Sequence, residues 1–135
     1  MITVPDASVL VAALVDAGPE GRWARSVLAR GTLAGPELLF AEATSVLRRL
    51  EQAGQVPEFQ AAVAQRDAMR LNVQTFPYSP FAARVWELRK NVTAYDGWYV
   101  ALAETLDCPL ATLDGRLVRS VGPACEFIVP GGGGS

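Results

Sequence analysis

Residues 2–14 read Ile2-Thr3-Val4-Pro5-Asp6-Ala7-Ser8-Val9-Leu10-Val11-Ala12-Ala13-Leu14. A short β-prone run stops at Pro5 and Asp6. An almost wholly apolar stretch, suited to a buried helix start, follows at once. The change from strand to helix recurs along the chain. Gly31 and Gly35 punctuate a brief strand around Leu33, and Pro36 is placed for the first turn of a helix over 36–53 that Gly54 stops. A helix over 57–71 precedes a strand at Val73–Phe76, and Ser79-Pro80 reads as an N-cap followed by Pro at the first helical position. Thr93 opens a helix that ends near Asp107. A strand over 109–113 stops at Asp114, a short helix covers 115–121, and a last strand covers 126–129. Strands alternating with helices predict an α/β fold with a central parallel sheet of four to five strands, flanked by helices on both faces. In such sheets ligands sit beyond the carboxyl ends of the strands, so the residues after each strand come first.

The chain has 135 residues, with fourteen Asp and Glu against twelve Lys and Arg and no histidine. No Ser-His-Asp or Cys-His nucleophile, His-ligated zinc or imidazole base is therefore available. Cys108 and Cys125 have neither CxxC nor zinc spacing and read as reduced core thiols. The apolar run 7–15 is closed by Asp16, far short of the roughly 20 residues a membrane span needs. The expectation is a soluble cytoplasmic protein with no membrane contact. Residues 1–130 read as a single domain, and 131–135, Gly-Gly-Gly-Gly-Ser, as a linker-like tail.

Any chemistry then falls to carboxylates, and four stand out. Asp6 and Asp114 each follow a predicted strand, where an ordinary helix N-cap is the simpler explanation for either alone. Glu42 lies mid-helix on a stripe with Leu39, Val46 and Leu50, where an unpaired carboxylate would be costly. The alternatives there are a buried pair with an arginine or a rim position that reaches water. Asp96 closes Thr93-Ala94-Tyr95-Asp96, a capping-box pattern, just before the apolar run Gly97–Ala103. Four carboxylates at one sheet edge repel one another unless divalent cations neutralise them, and hard oxygen donors suit Mg²⁺ or Mn²⁺.

These blocks together resemble a known family. Val4-Pro5-Asp6-Ala7-Ser8-Val9-Leu10 is followed by Ala41-Glu42-Ala43 and Val46-Leu47-Arg48-Arg49. Then come Thr93-Ala94-Tyr95-Asp96-Gly97-Trp98-Tyr99-Val100-Ala101-Leu102-Ala103-Glu104 and Leu110-Ala111-Thr112-Leu113-Asp114-Gly115-Arg116-Leu117. From residue 1 to about 130 the chain resembles the PIN-domain ribonucleases and, within them, the VapC toxins of type II toxin–antitoxin pairs. The third block joined to the Thr112–Asp114 block is the specific part. Pro5 departs from the pattern, since the family more often has an apolar strand residue there.

The resemblance implies a PIN-like fold in which Asp6, Glu42, Asp96 and Asp114 hold one or two Mg²⁺ or Mn²⁺ ions. Asp6 and Asp96 would be direct ligands, with Glu42 and Asp114 completing the set or orienting water. It implies an endoribonuclease acting on single-stranded or loop RNA, a cognate VapB-type antitoxin and a homodimer. Ser8 and Thr112 could hydrogen-bond the carboxylates, and Arg116 could meet substrate phosphate. For Ser45, back-bonding to its own helix is the expectation. A catalytically inactive PIN-like module that binds RNA or a partner is the alternative. A haloacid-dehalogenase-like phosphatase would want Asp where Ser8 stands, and a receiver domain a lysine near the last strand, whereas Lys90 is the only one.

Overall fold

The structure, a computed structural model, describes residues 1–131. Of the tail expected over 131–135, residues 132–135 lie outside the described residues. β1 (Ile2–Pro5) runs into α1 (Ala7–Val15), and α2 (Pro19–Leu28) folds back against α1. β2 (Thr32–Pro36), α3 (Leu39–Gln52), α4 (Glu58–Ala68) and β3 (Val73–Phe76) follow. A 3₁₀ turn at Ser79–Phe81 leads into α5 (Ala82–Leu88), then α6 (Ala94–Leu106), β4 (Leu110–Ala111), α7 (Gly115–Val118) and β5 (Phe127–Ile128). The five strands are parallel, in the order β3-β2-β1-β4-β5. The expected α/β class with a parallel sheet is thus observed. Strand order reverses at β1, so a crevice opens beyond the carboxyl ends of β1 and β4. Those strands pair as Val4 with Leu110 and Pro5 with Ala111.

The pleat sends successive side chains to opposite faces, and two apolar layers result. Leu110 joins Val4, Ala34 and the α6 residues Val100–Ala103 in the larger layer. Its neighbour Ala111 joins Ile128, the α1 residues Val9, Ala12 and Ala13, and Ala24 and Val27 of α2 in the smaller one. α1 feeds both layers, because Leu10 and Val11 belong to the larger. A helix buried on two sides must be apolar nearly all round, which accounts for the sequence of residues 7–15. Among the described residues no helix is long and apolar enough to cross a membrane.

Three local expectations are corrected. Pro36 does not start a helix; it closes β2, because Leu33–Pro36 pair along their length with Val73–Phe76 and stay extended. Ser79 caps nothing; residues 79–81 form a 3₁₀ turn whose buried Phe81 packs edge-on against Phe76 at 6.4 Å. The buried stripe of α3 is Leu39, Ala43 and Leu47, with Val46 and Leu50 only half-buried. Glu42 therefore lies at the rim of that stripe. The strands at β4 and β5 are also shorter than expected, two residues each.

Candidate functional site

β1 ends at Pro5, and the next residue, Asp6, takes an extended conformation that caps α1. Its backbone N–H donates to the Ala111 carbonyl at 3.0 Å, which carries the ladder one step past the strand. Its Oδ1 accepts from the Ser8 hydroxyl at 2.5 Å and the Val9 N–H at 3.1 Å, and its Oδ2 accepts from the Thr112 hydroxyl at 2.5 Å. A carboxylate has about four acceptor positions, so three are filled. Burial pushes the Asp6 carboxyl above the usual carboxylate range, and these hydrogen bonds pull it partly back. The N-cap explanation and the site explanation thus describe one geometry.

Thr112, fully buried, also accepts the Asp114 N–H at 2.9 Å. Asp114 caps α7, its Oδ1 accepting from the Arg116 N–H at 3.0 Å and the Leu117 N–H at 3.3 Å. Among the described residues its Oδ2 accepts nothing. Asp96 enters in the first turn of α6, where the Thr93 hydroxyl accepts its backbone N–H at 3.2 Å. Burial, then the charges of Asp114 and Asp6, push the Asp96 carboxyl up, while the Thr93 hydroxyl and the Arg116 cation hold it down.

Glu42 comes from the first turn of α3, where the helix dipole favours a carboxylate. Among the described residues it has no arginine partner. Its Oε1 instead accepts the hydroxyl of Tyr99, a buried α6 residue, at 2.6 Å. Burial raises the Glu42 carboxyl, the Tyr99 hydroxyl opposes that, and the charges of Asp96 and Asp6 add to it. Burial and then the Glu42 hydrogen bond and charge push the Tyr99 hydroxyl far above its ordinary value, so it stays a donor. Sequence reasoning placed Tyr99 in an apolar helix run and missed its hydroxyl. The only available signal was a tyrosine where phenylalanine would pack as well.

Two hollows open beside the carboxylates. One of about 420 Å³ is lined by Asp96, Asp114, Arg116, Arg119 and neighbours, and one of about 330 Å³ by Glu42, Ser45, Arg49 and Tyr95. Exposed Arg116 therefore shares a wall with two acids, and exposed Arg49, like Arg116 an arginine just after an acid-bearing block, lies on Glu42's side with exposed Tyr95, which was unassigned from sequence. Ser45 makes no side-chain hydrogen bond to a carboxylate among the described residues. The thiols of Cys108 and Cys125 are free and share a separate hollow with Glu104 and Asp107, and burial pushes both up, Cys125 to about 11.

Among the described residues no three His, Cys, Asp or Glu side chains close into a ready-made cation cage. The donors are nonetheless all hard oxygens, and among the described residues three of the carboxylates, Glu42, Asp96 and Asp114, carry an oxygen without a hydrogen-bonding partner. Such a set fits a hydrated Mg²⁺-like ion, which keeps several waters and takes one or two carboxylates rather than a full protein cage.

The family model for the PIN domain matches residues 3–121. The chain belongs to the PIN-domain family. This PIN domain is 39% identical over 126 residues to a VapC ribonuclease of Mycobacterium bovis, covering 93% of this chain and 96% of that protein. Its fold is similar to that of PAE2754 from Pyrobaculum aerophilum, with a TM-score of 0.68, 23% identity, and coverage of 96% of this chain and 89% of that one. It is also similar to a chain of the VapBC2 complex from Rickettsia felis bound to a DNA fragment from its promoter. There the TM-score is 0.67 at 13% identity, covering 96% of this PIN domain and 99% of that chain.

Proposed function

We propose that this PIN domain is a Mg²⁺- or Mn²⁺-dependent endoribonuclease, the toxin of a toxin–antitoxin pair. One observation carries the reading. Four carboxylates from four separate chain segments lie near enough at this end of the sheet for their charges to act on one another; burial holds Asp6, Glu42 and Asp96 above their ordinary pKa, Glu42 being raised further by Asp96 and Asp6, and Asp96 by Asp114 and Asp6. A fold does not accumulate such repulsion for stability, and perturbed carboxylates in a cleft mark functional sites. Relatives named VapC ribonuclease support the same activity.

Asp6, Asp96, Glu42 and Asp114 would hold the ion, with Asp6 and Asp96 as its direct protein ligands. When bound, the ion supplies a lowered water pKa and positive charge opposite the phosphoryl oxygens. The chain's residues do the rest. Ser8 and Thr112 fix the Asp6 carboxylate from both oxygens. Arg116 lies beside Asp96 and Asp114, where its fork would receive a phosphate of the RNA backbone. Glu42 and Asp114 would complete the set or orient the attacking water. A VapB-type antitoxin that covers the crevice and a homodimer complete the reading. The similarity to a chain of a VapBC complex supports the first of these.

Asp6→Asn tests it. Cleavage of a single-stranded RNA should cease in EDTA, return with Mg²⁺ or Mn²⁺, and fall more than roughly 100-fold in Asp6→Asn, beyond the usual effect of groups that only support a metal ligand. The melting temperature of the variant should stay at or above that of the wild type. Wild-type protein that binds RNA but never cuts it would leave the inactive binding module as the better account.

A further inference from the structure

Glu42 poses a mechanical problem. It sits at the rim of the α3 stripe, repelled by Asp6 and Asp96, with a flexible side chain that could swing out to water. No cation of the chain pairs with it among the described residues. Among the described residues the one side-chain group that restrains it is the Tyr99 hydroxyl, at 2.6 Å from Oε1. Tyr99 itself cannot follow an outward swing, because the residue is only 3% exposed within the main core layer. The other Glu42 oxygen, Oε2, is left without a partner among the described residues. Tyr99 also stands three residues after Asp96 on α6, so the two share a helix face.

We infer that Tyr99 is the positioning residue of the acidic site: its hydroxyl fixes Glu42 of α3 at a set distance from Asp96 of α6 and turns one Glu42 oxygen inward. One helical turn of α6 thereby sets two of the four acids, one directly and one through a hydrogen bond. This rests on the cation-binding reading above and goes beyond it, since it assigns the restraint to a residue that touches neither cation nor RNA. The same hydroxyl explains why the chain tolerates a rim glutamate whose neighbours repel it.

The test uses the full chain and Mn²⁺ alone, titrated by calorimetry and by the Mn²⁺ electron paramagnetic resonance signal. Tyr99→Phe should keep the circular dichroism spectrum and weaken Mn²⁺ binding about 10-fold, the low end of the cost of losing an outer hydrogen-bonding partner, since Glu42 would reach the ion through a water. In RNA cleavage it should raise the Mn²⁺ concentration for half-maximal rate by a similar factor, while the rate at saturating Mn²⁺ recovers to within a few-fold of the wild type. In a double-mutant cycle, Tyr99→Phe should add nothing to the loss caused by Glu42→Gln, because Tyr99 acts only through the Glu42 carboxylate, whose charge the glutamine has already removed. Wild-type Mn²⁺ affinity in Tyr99→Phe, or losses that simply add to those of Glu42→Gln, would overturn the inference and leave the nuclease reading standing. A wild-type protein that binds no Mn²⁺ would remove both.

Discussion

Asp6 shows how one side chain serves two ends. Its Oδ1 caps α1 while its Oδ2 meets a threonine 106 residues away, so local and long-range needs share a carboxylate. Thr112 is the more exposed to disruption by mutation. It donates to Asp6 and accepts from the Asp114 N–H, from a position with no solvent access. Thr112→Val keeps the shape but leaves a buried N–H without a partner, and should cost about 1–3 kcal/mol in a urea melt. It should also slow RNA cleavage about 10–100-fold, whereas Thr112→Ser should recover most of both. Equal stability of the valine variant would show that water replaces the hydroxyl. Ser8 and Thr112 were legible as partners of a carboxylate because they flank the acids in sequence. Tyr99 was not, because its partner lies 57 residues upstream and hydrophobic patterning treats it as core.

At the scale of elements, two joints hold the helices in place. At the α1–α2 corner the Gly21 backbone rests on the Asp16 carbonyl, where any Cβ would collide, and Arg25 donates to the Ala13 and Asp16 carbonyls at 3.1 and 2.9 Å. Gly21→Ala should therefore lower stability by about 3 kcal/mol, the top of the overpacking range, despite the better helix propensity of alanine. Thermal unfolding would check this, and a neutral result would mean that α2 can shift on α1. At the second joint Arg84 of α5 forks onto Glu104 of α6 at 2.8 and 3.1 Å and also donates to the Gly122 carbonyl, while Glu104 accepts the Ala124 N–H at 2.7 Å. This ties the segment after α7, whose Ser120 and Val121 line the hollow beside Asp114, to the α5–α6 pair. Burial raises the Glu104 carboxyl, but Arg84 and the Ala124 N–H outweigh it and hold it below its usual 4.5. The folded state thus binds that proton less readily than the unfolded chain. The contribution of Glu104 is present above about pH 4.5 and lost as pH falls through the lowered value. The melting-temperature gap between wild type and Glu104→Gln should narrow in that acid range and stay constant above it.

For the whole molecule the acids of the crevice have the opposite sign. Asp6, Glu42 and Asp96 have folded values raised above their unfolded ones, near 3.8 for the aspartates and 4.5 for the glutamate. Their contribution is fully present below those values and is lost as pH rises through the raised ones. Metal-free protein should accordingly lose stability as pH rises from about 4 toward neutrality, and millimolar Mg²⁺ should restore it. At a concentration 100 times the dissociation constant the gain is about 2.7 kcal/mol, or roughly 5–10 °C in melting temperature for a chain of this size. A melting curve indifferent to Mg²⁺ and Mn²⁺ at pH 7 would count against a cation site. The same view recasts the net charge of −2. With the four crevice acids set aside, ten acidic residues face twelve basic ones, so the remaining surface is compatible with a polyanion.

By itself the sequence determined the alternation of strands and helices, the identity of the four acids and the exclusion of histidine chemistry, because these depend on residue type and short spacing. Where it erred, at Pro36, Ser79 and the α3 stripe, pairing or burial against distant segments outweighed local preference. Only the tertiary structure decided that β4 lies beside β1, which brings Thr112 to Asp6 and Asp114 to Asp96, and that Tyr99 reaches Glu42. Those meetings depend on how the whole chain buries its apolar layers, a sum over contacts between residues tens of positions apart that no local window contains.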